Sequence, residues 1–279
     1  MGLRINTNVA SLNAQRALSN SSESQAKSYE RLASGQRITS AGDDAAGMSI
    51  SENLRAQIRS MQQAGRNTND GISFVQVAEG GLTEVGNILV RLRELTVQAA
   101  SDTIGEKERG FINDEVQSLS AEVDRIANVT NFNGTKLLSS EDSDVDQLDF
   151  QVGIRNDESD RILLDIGEFE STAETLGIDD LDYTDIDTAR EAMEMVDDAM
   201  SQVFGKRAKL GAVQNKLHST SNNLDISVLN LQQARSRIAD TDIAEETAKL
   251  IQGNILQAAG TSVLSQANSA PMAALKLLS

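Results

Sequence analysis

The sequence predicts a mainly α-helical fold, in which a long antiparallel bundle similar to a coiled coil carries a small β-hairpin insert. Three observations predict it. Two long stretches carry an apolar seam, and one short stretch alternates apolar with polar residues. Aromatic residues make up 3% of the chain and tryptophan is absent, which favours thin helical layers over a thick core.

The first long helix is predicted over residues 54–99, where no proline interrupts the pattern. Two series spaced by seven residues form its seam: Leu54, Met61, Thr68, Val75, Leu82, Leu89 and Thr96, and Gln57, Ala64, Gly71, Ala78, Val85, Leu92 and Ala99. Asp43 or Asp44 can cap its start, and residues 102–105 end it, so we expect about 55 residues and a length of about 80 Å.

A seam needs a partner, and the other stretch of matching length covers residues 189–238. Its seventh-residue series is Ala189, Val196, Val203, Leu210, Leu217, Leu224, Leu231 and Ile238. We therefore expect the two helices to pack lengthwise.

Between the two long helices, the apolar period changes once. A shorter helix beyond Gly105 places five apolar residues on one face: Ile112, Val116, Leu119, Val123 and Ile126. Two alternating runs then predict strands: Leu148, Phe150, Val152 and Ile154, and Ile162, Leu164 and Ile166. Residues 155–160 are polar enough to turn between them, which predicts a β-hairpin.

The net charge of −17 is concentrated in one part of the chain. Residues 141–187 contain 17 acidic residues against Arg155 and Arg161, a net of −15, so the rest of the chain sums to −2. We expect this segment to be an exposed acidic insert. A nearly neutral body with an acidic lobe lacks the basic face that nucleic acids require.

No catalytic, metal or cofactor site is predicted. The acidic run at residues 142–146 is followed by Gln147 and Gly153 where a calcium loop needs glycine and glutamate. The single histidine, His218, stands in no zinc-binding motif, and no strand precedes Gly80 and Gly81 as a phosphate loop requires. The chain has no cysteine. We therefore expect a protein that is not an enzyme.

Both ends of the chain have helical apolar spacing with too few charges for a helix in water. Residues 250–275 contain no charged residue, yet carry too many glutamines, asparagines and serines for a membrane span. Repeated self-association of the ends explains this composition. The predicted assembly residues are the apolar ones on these stretches: Ile5, Val9, Leu12, Ile251, Ile255, Val263 and Leu264.

In the isolated molecule, these ends bury too little surface to offset the ordering cost of about 1 to 2 kcal/mol per residue. We therefore expect residues 1–40 and 243–279 to be disordered in the monomer and to fold on assembly. The start of the chain lacks the apolar run of a cleaved signal peptide, so classical secretion is not predicted.

Eight long strings of this sequence resemble bacterial flagellin, in the same order along the chain. They are residues 5–8, 30–35, 40–47, 66–72, 93–99, 131–138, 234–238 and 258–268. The resemblance covers about 1–138 and 186–279. Larger flagellins insert whole outer domains in the middle, so this chain resembles a short form that lacks them.

The resemblance implies a structural subunit of the extracellular flagellar filament, exported unfolded and added at the growing tip. It implies terminal helices, at residues 1–44 and 239–279, that pair in an inner domain of the filament. Residues 45–238 would form an outer helical domain with the insert at about 139–187. The alternative is a hook-filament junction protein, one of the hook-associated proteins, which shares this architecture. A soluble coiled-coil adaptor would need charged faces on its terminal helices.

The resemblance also implies partners besides further copies of the chain. A flagellar export chaperone would cover the apolar residues of the C-terminal segment: Leu256, Val263, Leu264, Leu275, Leu277 and Leu278. The same residues are equally compatible with packing only in the filament. An innate immune receptor would recognise Arg91, Leu95 and Glu115, which are alternatively ordinary surface charges and an intersubunit contact. Filament cap and other hook-associated proteins complete the set.

Overall fold

A computed structural model describes residues 7–139 and 147–276, with side chains described up to residue 269. Within these residues there are six α-helices: α1 Val9–Ser34, α2 Ala45–Ala99, α3 Glu106–Val129, α4 Ala173–Leu176, α5 Ile186–Ala239 and α6 Ile243–Lys276. Four strands form two hairpins: β1 Asn131–Phe132 with β2 Thr135–Lys136, and β3 Gln147–Gln151 with β4 Arg161–Asp165. The predicted mainly α fold with a small hairpin is confirmed.

The chain divides into two compact units. One contains Met1–Ile58 and Leu229–Ser279, and the other contains Arg59–Val228. Helices α2 and α5 each contribute residues to both. The functional division predicted after residues 44 and 238 stays a prediction.

Helix α2 has the predicted length and the predicted cap. It spans 55 residues, and Asp44 Oδ1 accepts a hydrogen bond of 2.9 Å from the backbone N–H of Gly47. Asp43 instead holds the preceding connector by accepting from the hydroxyl of Thr39 and from Ser40. The hydrogen bond from Thr39 contributes most to holding the pKa of Asp43 below its usual range.

The second unit is built around the seam between α2 and α5. The seam residues of α2 from Thr68 to Ala99 are buried, and so are those of α5 from Ala189 to Leu224. The helices are antiparallel, since Arg93 forms an ion pair with Asp197 (Nε to Oδ1 2.6 Å) and Gly86 lies against Val203 farther along α5. Lengthwise packing is thereby confirmed for this unit.

The seam differs from the prediction near its start. Gln57 is exposed, and the neighbouring Ile58 is buried in its place at 7% exposure. A buried glutamine needs hydrogen-bond partners that an isoleucine does not, so a shift of one residue leaves the apolar side chain inside.

The predicted apolar stripe of α3 faces the core. Ile112, Val116 and Val123 of α3 are buried and belong to one core cluster with α2 and α5, against which Leu119 and Ile126 pack. The β3–β4 hairpin joins the same core through Val152, Ile162 and Leu164, and Phe150 pairs with Ile162 in its register. Both elements are confirmed.

A second, smaller hairpin was not predicted. Strands β1 and β2 are two residues each and are joined by Asn133 and Gly134, which both adopt positive φ, 51° and 87°. Asn-Gly is the dipeptide that two-residue hairpins of this conformation prefer, so the signal was present in the sequence. Phe132 of β1 packs edge-on against Phe74, with ring centroids 5.7 Å apart.

Part of the predicted exposed insert is instead core. Between β4 and α5, seven apolar side chains are buried: Ile166, Phe169, Ala173, Leu176, Ile178, Leu181 and Tyr183. Side chains of α3 hold the backbone of this segment, since Ser120 donates to the carbonyl of Ile178 and Gln117 to that of Leu181. The acidic residues between the buried ones are exposed, except Glu170, which is half-buried. The expectation of an exposed insert was therefore wrong for residues 166–183, because apolar residues at irregular spacing carry no periodic signal.

Candidate assembly surface

In the first unit, α1 and α6 pack against each other through a narrow seam. The covered residues of both helices follow the alternating spacing of three and four that marks a coiled-coil seam. On α1 they are Ser11, Ala14, Leu18, Ser21, Gln25 and Ser28, and on α6 they are Glu246, Leu250, Gly253, Gln257, Gly260, Leu264 and Ala267. Most of these side chains are small or polar, so the paired helices bury little apolar surface.

The seam glycines allow close approach. A Cβ atom built on Gly260 would lie 2.7 Å from Cδ1 of Leu18, which is closer than any ordinary contact. At Gly253 the same atom would lie 3.8 Å from Cβ of Gln25, an ordinary contact distance. Residue Leu18 therefore uses the space that the missing side chain at position 260 leaves open.

Polar contacts cross the seam at three levels. Nδ2 of Asn8 donates to the carbonyl of Ala267 at 2.7 Å, while Oδ1 of Asn8 caps α1 by accepting from the N–H of Ser11. Oγ of Ser11 is 2.8 Å from Oδ1 of Asn268. Gln25 donates to Asn254 farther along the seam.

Backbone hydrogen bonds join the chain just after α1 to the chain just before α6. The N–H of Arg37 donates to the carbonyl of Ala239 at 2.7 Å, and the N–H of Thr241 donates to the carbonyl of Gly35 at 3.0 Å. Gly35 adopts φ 69° and ends α1 in the left-handed conformation that glycine favours.

The predicted assembly residues mostly point away from this seam. Those more than half exposed are Val9, Leu12, Ile251, Ile255 and Val263. Leu264 is partly buried in the seam, and Ile5 lies outside the described residues. Apart from Leu264, the described residues of the predicted set therefore do not join α1 to α6.

The outward faces of the two helices differ in charge. The outer face of α1 carries exposed charged residues, namely Arg16, Glu23, Lys27 and Glu30. The outer face of α6 beyond Lys249 carries none up to residue 269, although Ile251 and Ile255 lie there almost two-thirds exposed. A face of this composition is typical of a surface that another protein covers.

The residues predicted to bind a chaperone lie on both faces of α6. Leu256 and Val263 are exposed, and Leu264 lies partly in the seam. Leu275 belongs to α6, but its side chain is not described. Leu277 and Leu278 lie outside the described residues.

The three residues assigned to receptor recognition lie together where α2 faces α3. Arg91 contacts Glu115 through Nε (3.1 Å) and Nη2 (2.7 Å), and Glu94 through Nη1 (3.2 Å). These carboxylates, Glu115 foremost, raise the pKa of Arg91. Leu95 is 2% exposed and belongs to the core, so its side chain is beneath the surface that Arg91 and Glu115 form.

Within residues 7–139 and 147–276, no group of three or more histidine, cysteine, aspartate or glutamate side chains is arranged to hold a metal ion. His218 is exposed on α5. None of the described helices has the length and apolar composition needed to cross a membrane.

Comparison with known proteins identifies the family. Residues 5–143 match the family model of the bacterial flagellin N-terminal helical region, and residues 193–278 match that of the bacterial flagellin C-terminal helical region. A flagellin of Halalkalibacterium halodurans is 44% identical over 274 residues, which cover 98% of this chain and 99% of that protein. The chain belongs to the bacterial flagellin family. A Bacillus subtilis flagellin is 41% identical over 303 residues, covering 99% of this chain and 100% of that protein. A flagellar filament 33 kDa core protein of Treponema phagedenis is 39% identical, covering 98% and 99%.

Solved structures agree with this assignment. The crystal structure of Bacillus cereus flagellin aligns with a TM-score of 0.50 at 28% identity, over 57% of this chain and 88% of that one. A protein from Vibrio parahaemolyticus described as flagellar hook-associated aligns with a TM-score of 0.60 at 17% identity, over 71% of this chain and 100% of that one. At that identity the second match shows a shared fold alone.

This flagellin family member is a structural subunit of the bacterial flagellar filament, which is extracellular and assembles from copies of its subunit. The family is structural rather than enzymatic. The hook-filament junction alternative is less supported, because the full-length relatives are flagellins and filament core proteins.

The seam between the terminal helices was not predicted from the sequence. Its signal was the spacing of Glu246, Gly253, Gly260 and Ala267, each seven residues after the last. A helical seam is usually recognised by large apolar residues, and this series contains none because its members are small or charged.

Proposed function

We propose that the outward apolar residues of α1 and α6 form the polymerisation surface of the filament. One observation carries this proposal: the two helices meet through small and polar residues, and this leaves Val9, Leu12, Ile251, Ile255 and Val263 more than half exposed. Burying an aliphatic side chain of this size is worth about 1.5 to 3 kcal/mol. Contacts of this kind, repeated between copies, supply the driving force for assembly.

The test is seeded polymerisation of a variant that combines Ile251→Ser with Ile255→Ser. We expect the critical concentration for growth to rise by at least about tenfold, since even 1.4 kcal/mol corresponds to that factor. Gln252→Ser is the matched control, because it makes a similar change in helix propensity on the same helix without removing apolar surface. Growth of the double variant at the wild-type critical concentration would rule out this surface.

The same assay separates the filament subunit from the junction protein. Electron microscopy of wild-type protein added to filament fragments should show long filaments. Short caps that do not extend would favour the junction protein instead.

We further propose that the chain is exported unfolded and that its terminal helices become stable only in the filament. The small and polar seam between α1 and α6 supports this, because it buries little apolar surface to offset the ordering cost. Amide hydrogen exchange on the monomer should find residues 1–40 and 243–279 unprotected, while α2, α3 and α5 of the second unit are protected. Strong protection of both ends in the monomer would contradict the proposal.

A flagellar export chaperone is proposed to cover the C-terminal segment before export. Exposed Leu256 and Val263 lie on a face of α6 that carries no charge, and this supports the proposal. The proposed set also includes Leu264, Leu275, Leu277 and Leu278. The test is chaperone binding by the chain truncated after Ile238, with the Gln252→Ser chain as a control for intact binding. Retained binding by the truncated chain would exclude this site.

Recognition by an innate immune receptor is proposed at Arg91 and Glu115, whose exposed side chains form one ion-paired surface. Leu95 would act by positioning Arg91 from the core. In a receptor reporter assay, Arg91→Ala should lose signal. Arg125→Ala is the matched control, because Arg125 is also at least half exposed and pairs with Glu122. An unchanged response to Arg91→Ala would reject this site.

The filament cap and hook-associated proteins are proposed as further partners at the filament ends.

A further inference from the structure

One side of the α2–α5 pair in the second unit is left uncovered by the described residues. Helix α3 packs on a different side of α2, where Arg91 pairs with Glu115. The segment between β4 and α5 packs on a different side of α5, where Nζ of Lys206 lies 3.3 Å from Oγ of Ser171. The remaining side, where α2 and α5 run next to each other in the open, is called the uncovered face.

The uncovered face consists of two rows of exposed or half-buried residues, one on each helix. Residues three and four apart lie on the same side of a helix. On α2 this spacing gives Gly80, Thr83, Asn87 and Val90. On α5 the row comprises Phe204, Gly205, Ala208 and Gly211. The rows adjoin at Gly86, since a Cβ atom built there would lie 3.8 Å from the ring of Phe204.

Three glycines of the uncovered face make no contact that requires glycine. A Cβ atom on Gly80, Gly205 or Gly211 would meet nothing within 4 Å, and none of the three has a positive φ. Glycine inside a helix lowers its stability relative to alanine, so each weakens its helix without making room for a neighbour in the same chain. By contrast, Gly260 in the α1–α6 seam makes room for Leu18. A close neighbour from outside the chain would give the three glycines the same use.

The uncovered face also carries apolar side chains and no net charge. Val90 is 43% exposed and Phe204 is 44% exposed. Two charged residues lie beside the rows, Glu79 and Arg207, and they are half-buried and opposite in sign. The whole chain has a net charge of −17, so two copies repel each other where their acidic surfaces meet. At the uncovered face, another copy can approach without that repulsion.

We propose that a neighbouring copy of the chain covers this face in the filament, in a close contact that the glycines permit. Filaments of this family assemble from copies of their subunit, so the function itself supplies this occupant. Residues without side chains let another backbone approach closely, and Val90 with Phe204 provides apolar surface to bury. The inference does not depend on the surface proposed for α1 and α6, because both of those helices belong to the first unit.

The first test places a side chain where the uncovered face has none. Gly205→Gln is compared with Gly110→Gln, the matched control, because Gly110 lies on α3 and a Cβ atom there also meets nothing within 4 Å. Both substitutions should raise the free energy of unfolding of the monomer in urea, since glutamine is the better helix former. In seeded polymerisation, Gly205→Gln should raise the critical concentration at least about tenfold because the added side chain holds the copies apart. Gly110→Gln should leave it unchanged.

The second test measures whether the uncovered face is accessible in filaments that have formed. The natural chain has no cysteine, so Ala208→Cys introduces a single thiol at an exposed position of this face. A maleimide should label this thiol readily in the monomer. In filaments, labelling should be at least about tenfold slower, because the contact with the neighbouring copy must open before the thiol can react.

Three results would overturn the inference. Growth of the Gly205→Gln chain at the natural critical concentration would mean that the glycines only weaken their helices. An equal rise for Gly110→Gln would mean that added bulk anywhere on the second unit impairs growth. Equal labelling of Ala208→Cys in monomers and filaments would leave the face open to a different partner. None of these variants alters α6, where the polymerisation surface is tested, so the two proposals fail separately.

Discussion

Two adjacent glycines in the middle of α2, Gly80 and Gly81, are predicted to respond differently to replacement by alanine. A methyl group at Gly80 would meet nothing within 4 Å. At Gly81 it would lie 2.7 Å from Cδ1 of Leu138 and 2.8 and 3.0 Å from Oγ1 and Cγ2 of Thr130. Gly80 is therefore replaceable, whereas Gly81 is required for the close approach of the segment that leads into the small hairpin.

The magnitudes follow from these surroundings. Replacing glycine by alanine inside a helix raises the free energy of unfolding by about 0.8 to 1.0 kcal/mol through helix propensity, and this applies at either position. At Gly81 this gain is opposed by overpacking, which costs about 1 to 3 kcal/mol. The neighbours cannot move aside easily, since Leu138 is 0% exposed and the Thr130 hydroxyl donates to the carbonyl of Ile126 at 2.7 Å. Gly80→Ala should stabilise by about 1 kcal/mol, and Gly81→Ala should be neutral or destabilising by up to about 2 kcal/mol.

The assay is urea unfolding of the monomer followed by circular dichroism, at a protein concentration too low for polymerisation. The free energy of unfolding of the two variants should differ by about 1 to 3 kcal/mol, with the slope of its dependence on urea unchanged. Equal stabilisation by both substitutions would refute the packing around Gly81. Destabilisation by Gly80→Ala would refute the open surroundings of Gly80.

Three further predictions concern the pH dependence, the cap of α2 and the core. Burial raises the pKa of Tyr183, whereas an unfolded tyrosine has a pKa of about 10, so the free energy of unfolding should fall as pH rises above about 10. In denaturation at pH 8 to 11, Tyr183→Phe should lessen that decline, and Tyr29→Phe, at an exposed position, should retain it. Asp44→Ala should lower the free energy of unfolding by about 1 kcal/mol through loss of the cap, and Asp44→Asn, which keeps an acceptor, should retain most of it. Leu95→Ala should cost about 2 to 5 kcal/mol in urea unfolding because its site is core; a loss under 1 kcal/mol would contradict the burial of Leu95.

The periodic parts of the fold could be predicted from the sequence because a heptad repeat specifies both a helix and its buried face. The seam of α2 from Thr68 to Ala99 and that of α5 from Ala189 to Leu224 are buried as predicted. The alternation in β3 and β4 specified the larger hairpin in the same way. In each case one period decides the local conformation and the side that faces the core.

Where the pattern was short or irregular, the prediction failed or was incomplete. The segment around Phe169 and Tyr183 has no repeating period, so its burial depends on the surface that α3 and α5 offer to it. The buried hydroxyl of Tyr183 shows this dependence. Thr96 donates its own proton to the carbonyl of Leu92, so Tyr183 donates to Thr96 across 2.8 Å, and the two residues are 87 positions apart in sequence.

For the candidate assembly surface, the sequence established the family and the unusual absence of charge from residue 250 to residue 275. It also identified the apolar residues that need covering, because composition alone shows that such a helix is unsuited to water. Only the tertiary structure decided that most of these residues face outward while mainly small and polar residues form the seam. A helix presents several rows of side chains around its surface. Which row meets a given partner helix depends on how closely the two backbones approach. That distance is set by Gly260 opposite Leu18, a contact between residues on two helices at opposite ends of the chain.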